Sequence, residues 1–176
     1  MSLLQTKLVN RIEIAKYLQI SKSVNEDKLN EMITKVQIND ILPLLGADLF
    51  NNLLTNPTST VNASLLNGGS YTANGIIYIN YGLKSVIVHY VDAYYKMFGD
   101  ATDTPFGLVN KLNSNESKPV DYSTKKTLYT ENKKVAFAIW ENVRNYLILT
   151  ENIYYLKNLN ICNNKFNKNF KITKII

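Results

Sequence analysis

The chain of 176 residues, 45% of them apolar and 19% charged, is long enough for one domain with a sizeable core and has the composition of a folded protein. Its single cysteine, Cys162, excludes an internal disulfide, and together with the single histidine, His89, it supplies too few ligands for a zinc site of thiolates and imidazoles. The formal charge is +6, but residues 156–176 contain five lysines and no acid. We therefore expect a near-neutral domain over residues 1–155 and a basic Asn/Lys-rich tail over residues 156–176.

The apolar runs of the chain are short. None approaches the roughly 18 to 20 residues that cross a bilayer, and residues 1–4 lack the pattern of a cleavable secretory signal. The expectation is a soluble protein made in the cytosol, with no membrane partner.

The N-terminal region is predicted to be helical. Apolar residues at helical spacing, among them Ile12, predict a short first helix near residues 11–19. Asn25 is a candidate N-cap for a second, amphipathic helix. The apolar stripe of that second helix comprises Leu29, Met32, Ile33, Val36 and Ile41.

A tight apolar elbow is expected after the second helix. Pro43 lacks an amide donor, so the helix should end or kink near Ile41. Helical spacing resumes over residues 47–54, and residues 56–60 form a polar turn cluster.

A β-hairpin is predicted around Asn74 and Gly75, because Asn-Gly between two apolar runs is the strongest short hairpin signal in a sequence. An isolated two-stranded hairpin is marginal in water, so this one needs the surface of its own subunit or of a neighbour. The strand residues are Tyr71 and Ala73 before the turn, and Ile77 and Ile79 after it.

The C-terminal half is expected to contain the two main helices. Gly82 should end the second strand, residues 83–98 form the central helix, and Gly99 is a candidate left-handed terminator. A long connection follows, part of it possible strand, and then a helix of ~30 residues over 124–155, spanning ~45 Å and in part projecting from the core. The predicted fold is mainly α: a bundle of about four to five helices, with the hairpin before the central helix, a long C-terminal helix and an extended tail.

The side chains suited to catalysis or metal binding are few. His89 and Asp92 share one face of a helix and are capable of acid–base chemistry, but no nucleophile has a supporting context, so a structural histidine is the favoured interpretation. Asp100, Asp103 and Glu116 match no calcium loop and are expected to be solvated. We predict no catalytic residue, no cofactor and no metal.

The basic tail has three interpretations. Its lysines suit phosphate binding, with Phe166 and Phe170 stacking on bases; it is a solvated end; or it adds a strand to the sheet edge of a partner, since Phe170 and Ile172 alternate with polar residues. The candidate partner contacts are Phe166, Lys168, Phe170, Lys171, Ile172 and Lys174.

Four segments together resemble the head-tail connector (adaptor or neck ring) proteins of tailed bacteriophages, and are most similar to those of phages of Bacteroidetes, including crAss-like phages. The resemblance covers roughly residues 24–155 and depends on the order and spacing of the four segments. They are residues 41–49 (ILPLLGADL), 66–71 (LNGGSY), 81–84 (YGLK) and 104–111 (TPFGLVNK).

The resemblance implies a structural virion protein, not an enzyme, that forms a homo-oligomeric ring of about twelve copies beneath the portal. Such a ring extends the DNA channel and contacts the portal and other neck or tail proteins, and in related adaptors C-terminal segments dock onto the portal. The alternative is a nucleic-acid-binding module that acts through its tail. For the ring, the candidate subunit interface comprises Tyr71, Asn74, Gly75, Tyr78 and Tyr81.

Overall fold

The computed structural model describes residues 6–21, 24–99, 101–104, 107–110 and 120–159, and for residues 101–104 and 107–110 it describes the backbone alone. The candidate tail contacts Phe166 to Lys174 lie outside the described residues, as do Asp100 and Glu116. In the described part of the chain, no helix is both long and apolar enough to span a membrane.

The predicted mainly helical fold, with a β-hairpin directly before the central helix, is confirmed. The helical part is divided into shorter segments than the sequence suggested, and a second hairpin follows the central helix. The elements are α1 (Arg11–Tyr17), α2 (Glu26–Val36), a π-helical turn (Gln37–Ile41), α3 (Leu42–Leu45), α4 (Ala47–Thr55), α5 (Thr60–Asn67), β1 (Gly69–Ala73), β2 (Ile76–Asn80), α6 (Leu83–Phe98), β3 (Ala101–Thr104), β4 (Gly107–Asn110), α7 (Tyr122–Leu149) and α8 (153–159).

Helix α1 is shorter than predicted, and the side of it that faces the core is the one that contains Ile14. A capping box fixes its start: the Asn10 side chain accepts from the Glu13 amide at 3.0 Å, and Glu13 accepts from the Asn10 amide. Ile14 is buried, whereas Ile12, one of the apolar residues whose spacing predicted the helix, is 69% exposed. The preceding segment contributes Leu8 and Val9 to the core. It is held against the helix that contains buried Gln37, because the Leu8 amide donates to the Gln37 side chain at 2.7 Å.

Helix α2 follows its prediction closely. Asn25 caps it by accepting from the Lys28 amide at 3.0 Å, and every residue of the predicted apolar stripe is buried. The break expected at Pro43 is a π-helical turn, in which the Leu42 amide bonds the Gln37 carbonyl. Pro43 therefore lies in the first turn of α3, where a missing amide donor is tolerated, and the chain stays helical until Gly46.

Helix α6 forms the centre of the core and packs along α7, with α2, α5 and α1 on its other sides. Its buried residues include Leu83, Val86, Ile87, Val88 and Val91. The prediction for Gly99 is wrong: its φ of −65° is right-handed, and it closes the helix through an ordinary bond from its amide to the Tyr95 carbonyl.

Helix α7 ends six residues before the predicted boundary. The Thr150–Asn152 turn follows Leu149, with Glu151 at φ 52°, and Asn152 then caps α8 by accepting from the Tyr155 amide at 3.1 Å. Val143, Tyr146 and Leu147 are buried. Leu128 and Val135, which lie in the first half of the helix, are exposed because little of the described chain covers that half.

Candidate subunit interface

The turn of the β1–β2 hairpin has the conformation that its sequence predicts. Asn74 and Gly75 have φ values of 51° and 76°, and Ala73 faces Ile76 across the ladder. Two consecutive left-handed residues between directly paired strands make a type I′ turn, which matches the right-handed twist of the strands. Strand alternation then divides the hairpin into two faces.

The inner face of the hairpin packs on its own subunit. Tyr71 stacks on Tyr78 with ring centroids 5.5 Å apart and meets Tyr146 of α7 edge-to-face at 4.9 Å. Burial raises the pKa of both Tyr71 and Tyr146, so both phenols stay neutral around neutral pH. Tyrosine pairs of this geometry are stabilising beyond the area that they bury.

Buried Asn80 fixes the base of the hairpin. Its amide donates to the Ser64 carbonyl at 3.1 Å, and its oxygen accepts from the Gly82 amide at 3.0 Å. Gly82 has a φ of 79°, and a Cβ there would lie 2.6 Å from the carbonyl carbon of Asn67. Glycine is therefore required where the hairpin turns into α6 against the end of α5.

Asn142 of α7 closes the outer edge of β2 near its base. Its amide nitrogen donates to the Ile79 carbonyl and its oxygen accepts from the Tyr81 amide, both at 2.9 Å. A residue of a parallel strand opposite Asn80 would form the same pair of bonds. One side chain thus takes the place of a neighbouring strand and joins the hairpin rigidly to α7.

The outer face of the hairpin is apolar and open. Ile77, Ile79 and Tyr81 are 74%, 62% and 58% exposed, and residues 68–81 contain no charged side chain. Exposed apolar surface that is contiguous in this way is typical of interaction sites. In the following, "the outer face" means the exposed side chains of Ser70, Thr72, Ile77, Ile79 and Tyr81.

The structure places the predicted interface residues in two groups. Tyr71 and Tyr78 lie on the inner face, whereas Asn74, Gly75 and Tyr81 are exposed. Ile77 and Ile79 were not among the predicted interface residues. They could have been predicted from the Asn-Gly turn, because the strand register that this turn sets places Ile77 and Ile79 on the face opposite Tyr71.

A second polar feature joins the π-helical turn to α7. Lys133 lies 3.0 Å from Asp40, whose side chain is only 10% exposed, and the Lys133 ammonium is 5.4 to 5.7 Å from the ring centroids of Tyr90, Tyr94 and Tyr129. Although burial opposes its charge, the hydrogen bond to Asp40 raises the pKa of Lys133. Burial and the Asp40 charge raise the pKa of Tyr94 to about 12. The Lys133–Asp40 pair links the π-helical turn to α7 through Oδ1, while the Oδ2 atom of Asp40 is buried with no hydrogen-bond partner among the described residues.

His89 and Asp92 lie on α6 as predicted. The Asp92 carboxylate pairs with Lys96 at 2.7 Å, and the buried Nδ1 of His89 has no hydrogen-bond partner among the described residues. Burial lowers the pKa of His89, despite the opposing influence of Asp92. The described side chains contain no group of three or more His, Cys, Asp or Glu residues placed to hold a metal ion. Asp103 lies on β3, where the backbone alone is described.

Comparison with known proteins places the chain in a family but does not assign it an activity. Neither the curated proteins nor the solved structures contain a match to it. A family of unknown function, DUF6712, matches residues 41–167, which include α3 to α8 and the whole candidate interface. The chain therefore belongs to the DUF6712 family.

Proposed function

We propose that this chain is a structural virion protein without enzymatic activity: a ring subunit that lies beneath the portal of a tailed phage, joins head to tail and extends the DNA channel. Its partners are further copies of itself, about twelve to a ring, the portal protein and other neck or tail proteins. The resemblance of the four sequence segments to connector proteins is the origin of the proposal, and the DUF6712 match neither adds to it nor opposes it.

The observation that carries the proposal is the exposed, uncharged outer face on a rigidly anchored hairpin. The hydrogen bond from Asn142 to the Ile79 carbonyl and the Tyr71–Tyr146 contact attach the hairpin to α7, while the side chains of Ile77 and Ile79 are exposed. A fixed apolar surface needs little ordering when a partner covers it, which favours specific association. In a ring, that partner is a neighbouring subunit in a head-to-tail contact that closes by rotation.

Electron microscopy of the purified full chain, and of phage particles that contain it, tests this function. The expected result is a ring of about twelve copies coaxial with the portal. A chain that stays monomeric at every concentration and is absent from particles would contradict the proposal.

The alternative function, a nucleic-acid-binding module, is favoured by the five lysines and absence of acids in residues 156–176. Binding through phosphates weakens steeply as salt rises, because counterions are released. A filter-binding titration against salt tests it, with deletion of residues 160–176 as the control. A slope near zero would remove phosphate contacts as the basis of binding.

A further inference from the structure

The two edges of the β1–β2 hairpin differ in the hydrogen bonding of the backbone groups that point away from the hairpin. A two-residue turn makes Ala73 and Ile76 a hydrogen-bonded pair, so alternation makes Thr72 and Ile77 a non-bonded pair. The amide and carbonyl of Thr72, and likewise those of Ser70, therefore point away from β2. Among the described residues, neither backbone has a further hydrogen-bond partner.

The β2 edge is closed by α7 at the base of the hairpin, whereas the β1 edge has no such contact among the described residues. Asn142 bonds the Ile79 carbonyl and the Tyr81 amide, two of the outward groups that a strand added at the base of β2 would use. Natural proteins protect an open strand edge with charges, prolines or bulges. Residues 68–81 contain no charge and no proline, and the β1–β2 register runs without a bulge from Gly69 to Ala73. An unprotected edge of this kind is suited to pairing with another strand.

We propose that the β1 edge receives the C-terminal segment, residues 166–176, of a second copy of this chain as an added strand; this inference rests on the proposed function. Phe170 and Ile172 alternate with Lys171 and Thr173, the period of a strand with one apolar face. In this pairing the apolar face of the added segment would lie beside Ser70 and Thr72, on the same face of the sheet as Ile77 and Ile79. The uncharged edge offers no partner for a phosphate, which makes an extended peptide the better occupant.

The C-terminal residues 160–176 are long enough to reach a neighbouring subunit. Fully extended, residues 160–176 span at most roughly 60 Å, against a radius of gyration of roughly 15 Å for a domain of this size. Each copy then offers one open edge and donates one strand. A donor–acceptor contact of this kind is head-to-tail, and it forms a ring when its rotation closes.

The test is a complementation experiment with two variants of the full chain, followed by light scattering and sedimentation. Thr72→Pro removes an amide that points outward and leaves the β1–β2 ladder intact, because proline is tolerated at such edge positions. Thr72→Val is the matched control, since it keeps the amide. The second variant lacks residues 166–176. Each variant alone should be monomeric, and a mixture of the two should give a one-to-one dimer with one intact contact.

Each other outcome overturns the strand addition. If Thr72→Pro or the truncated chain assembles like the wild type, or if the mixture stays monomeric, the β1 edge does not receive this segment. Rings of the wild-type chain in electron microscopy would still leave the proposed function in place. Absence of the wild-type chain from particles would instead remove the function itself.

Disulfide trapping keeps the proposal testable if the proline variant fails to fold. In a Cys162→Ser background, Thr72→Cys and Ile172→Cys placed on separate copies should cross-link under mild oxidation. Ile12→Cys with Ile172→Cys is the control, because Ile12 is exposed, as Thr72 is, but lies on α1. Equal cross-linking of the two pairs would contradict the strand addition.

Discussion

The side-chain oxygen of Asn142 accepts a hydrogen bond from the backbone amide of Tyr81 at 2.9 Å, across 61 positions of sequence. The amide group of the same side chain also bonds the Ile79 carbonyl. Because α7 supplies what a third strand would supply, the hairpin is held by its own subunit and keeps its outer face free.

Replacing Asn142 tests this anchoring. Asn142→Ala removes two hydrogen bonds and should lower the free energy of unfolding by about 1 to 3 kcal/mol, measured by urea denaturation. Asn142→Asp keeps the acceptor for Tyr81 but loses the donor to Ile79, so its stability should also fall. An alanine variant as stable as the wild type would show that the clamp is not needed.

The outer face should control self-association without contributing to folding. Ile77→Lys places a charge on a side chain that is already 74% exposed, so the melting temperature should change little, whereas the association constant should fall at least about tenfold, or about 1.4 kcal/mol. Ile12→Lys is the matched control, because Ile12 is 69% exposed on α1. Sedimentation equilibrium that gives equal association for the two variants would place the interface elsewhere.

The hairpin turn is expected to matter more for assembly than for folding. Gly75→Val forces a β-branched residue into a φ of 76°, at a cost of about 1 to 2 kcal/mol, and should lower the melting temperature by only a few degrees. Gly75→Asn, which tolerates this conformation, should behave like the wild type. The interface is misplaced if Gly75→Val melts far below the wild type while assembly persists.

The joint between Asp40 and Lys133 should behave as a coupled pair. Lys133→Met leaves the carboxylate of Asp40 nearly buried and unpaired, and should lower the free energy of unfolding by about 1 to 3 kcal/mol, less than for a fully buried pair because Lys133 is 33% exposed. Asp40→Asn combined with Lys133→Met should cost less than the sum of the two single changes. Strict additivity in denaturant unfolding would exclude the coupling.

His89 should titrate below its ordinary value of 6.5, because burial lowers its pKa. A lowered folded-state pKa means that the stability from neutral His89 is fully present above pH 6.5 and is lost as the pH falls through the folded pKa. As the chain has one histidine, a single imidazole resonance followed by NMR reports it directly. A midpoint at or above 6.5 would contradict the burial, and a loss of ring assembly in a folded His89→Gln variant would contradict a purely structural role.

The elements that the sequence predicts well are those in which local chemistry and burial agree. The apolar stripe and Asn25 cap of α2 depend on residues within one helix, and the Asn74–Gly75 turn depends on two residues. The spacing of Ile12 predicted a helix but not its buried side, because a two-turn helix has too few apolar positions to fix its orientation. Its orientation depends instead on Leu8, whose amide bonds Gln37 across 29 positions.

The anchoring of the candidate site was not predictable from local pattern. Asn142 looks like any polar residue of a long helix, and its role depends on how α7 lies against β2. The end of α7 did have a signal, since Asn152 caps the helix that follows. The difference between the two edges of the hairpin depends both on the turn register and on the two Asn142 hydrogen bonds.

A reconstruction of the neck of phage particles at side-chain resolution tests the central claim most directly. The proposal predicts about twelve copies coaxial with the portal, each with Ile77 and Ile79 covered by a neighbouring copy. A neck that does not contain the chain would contradict it.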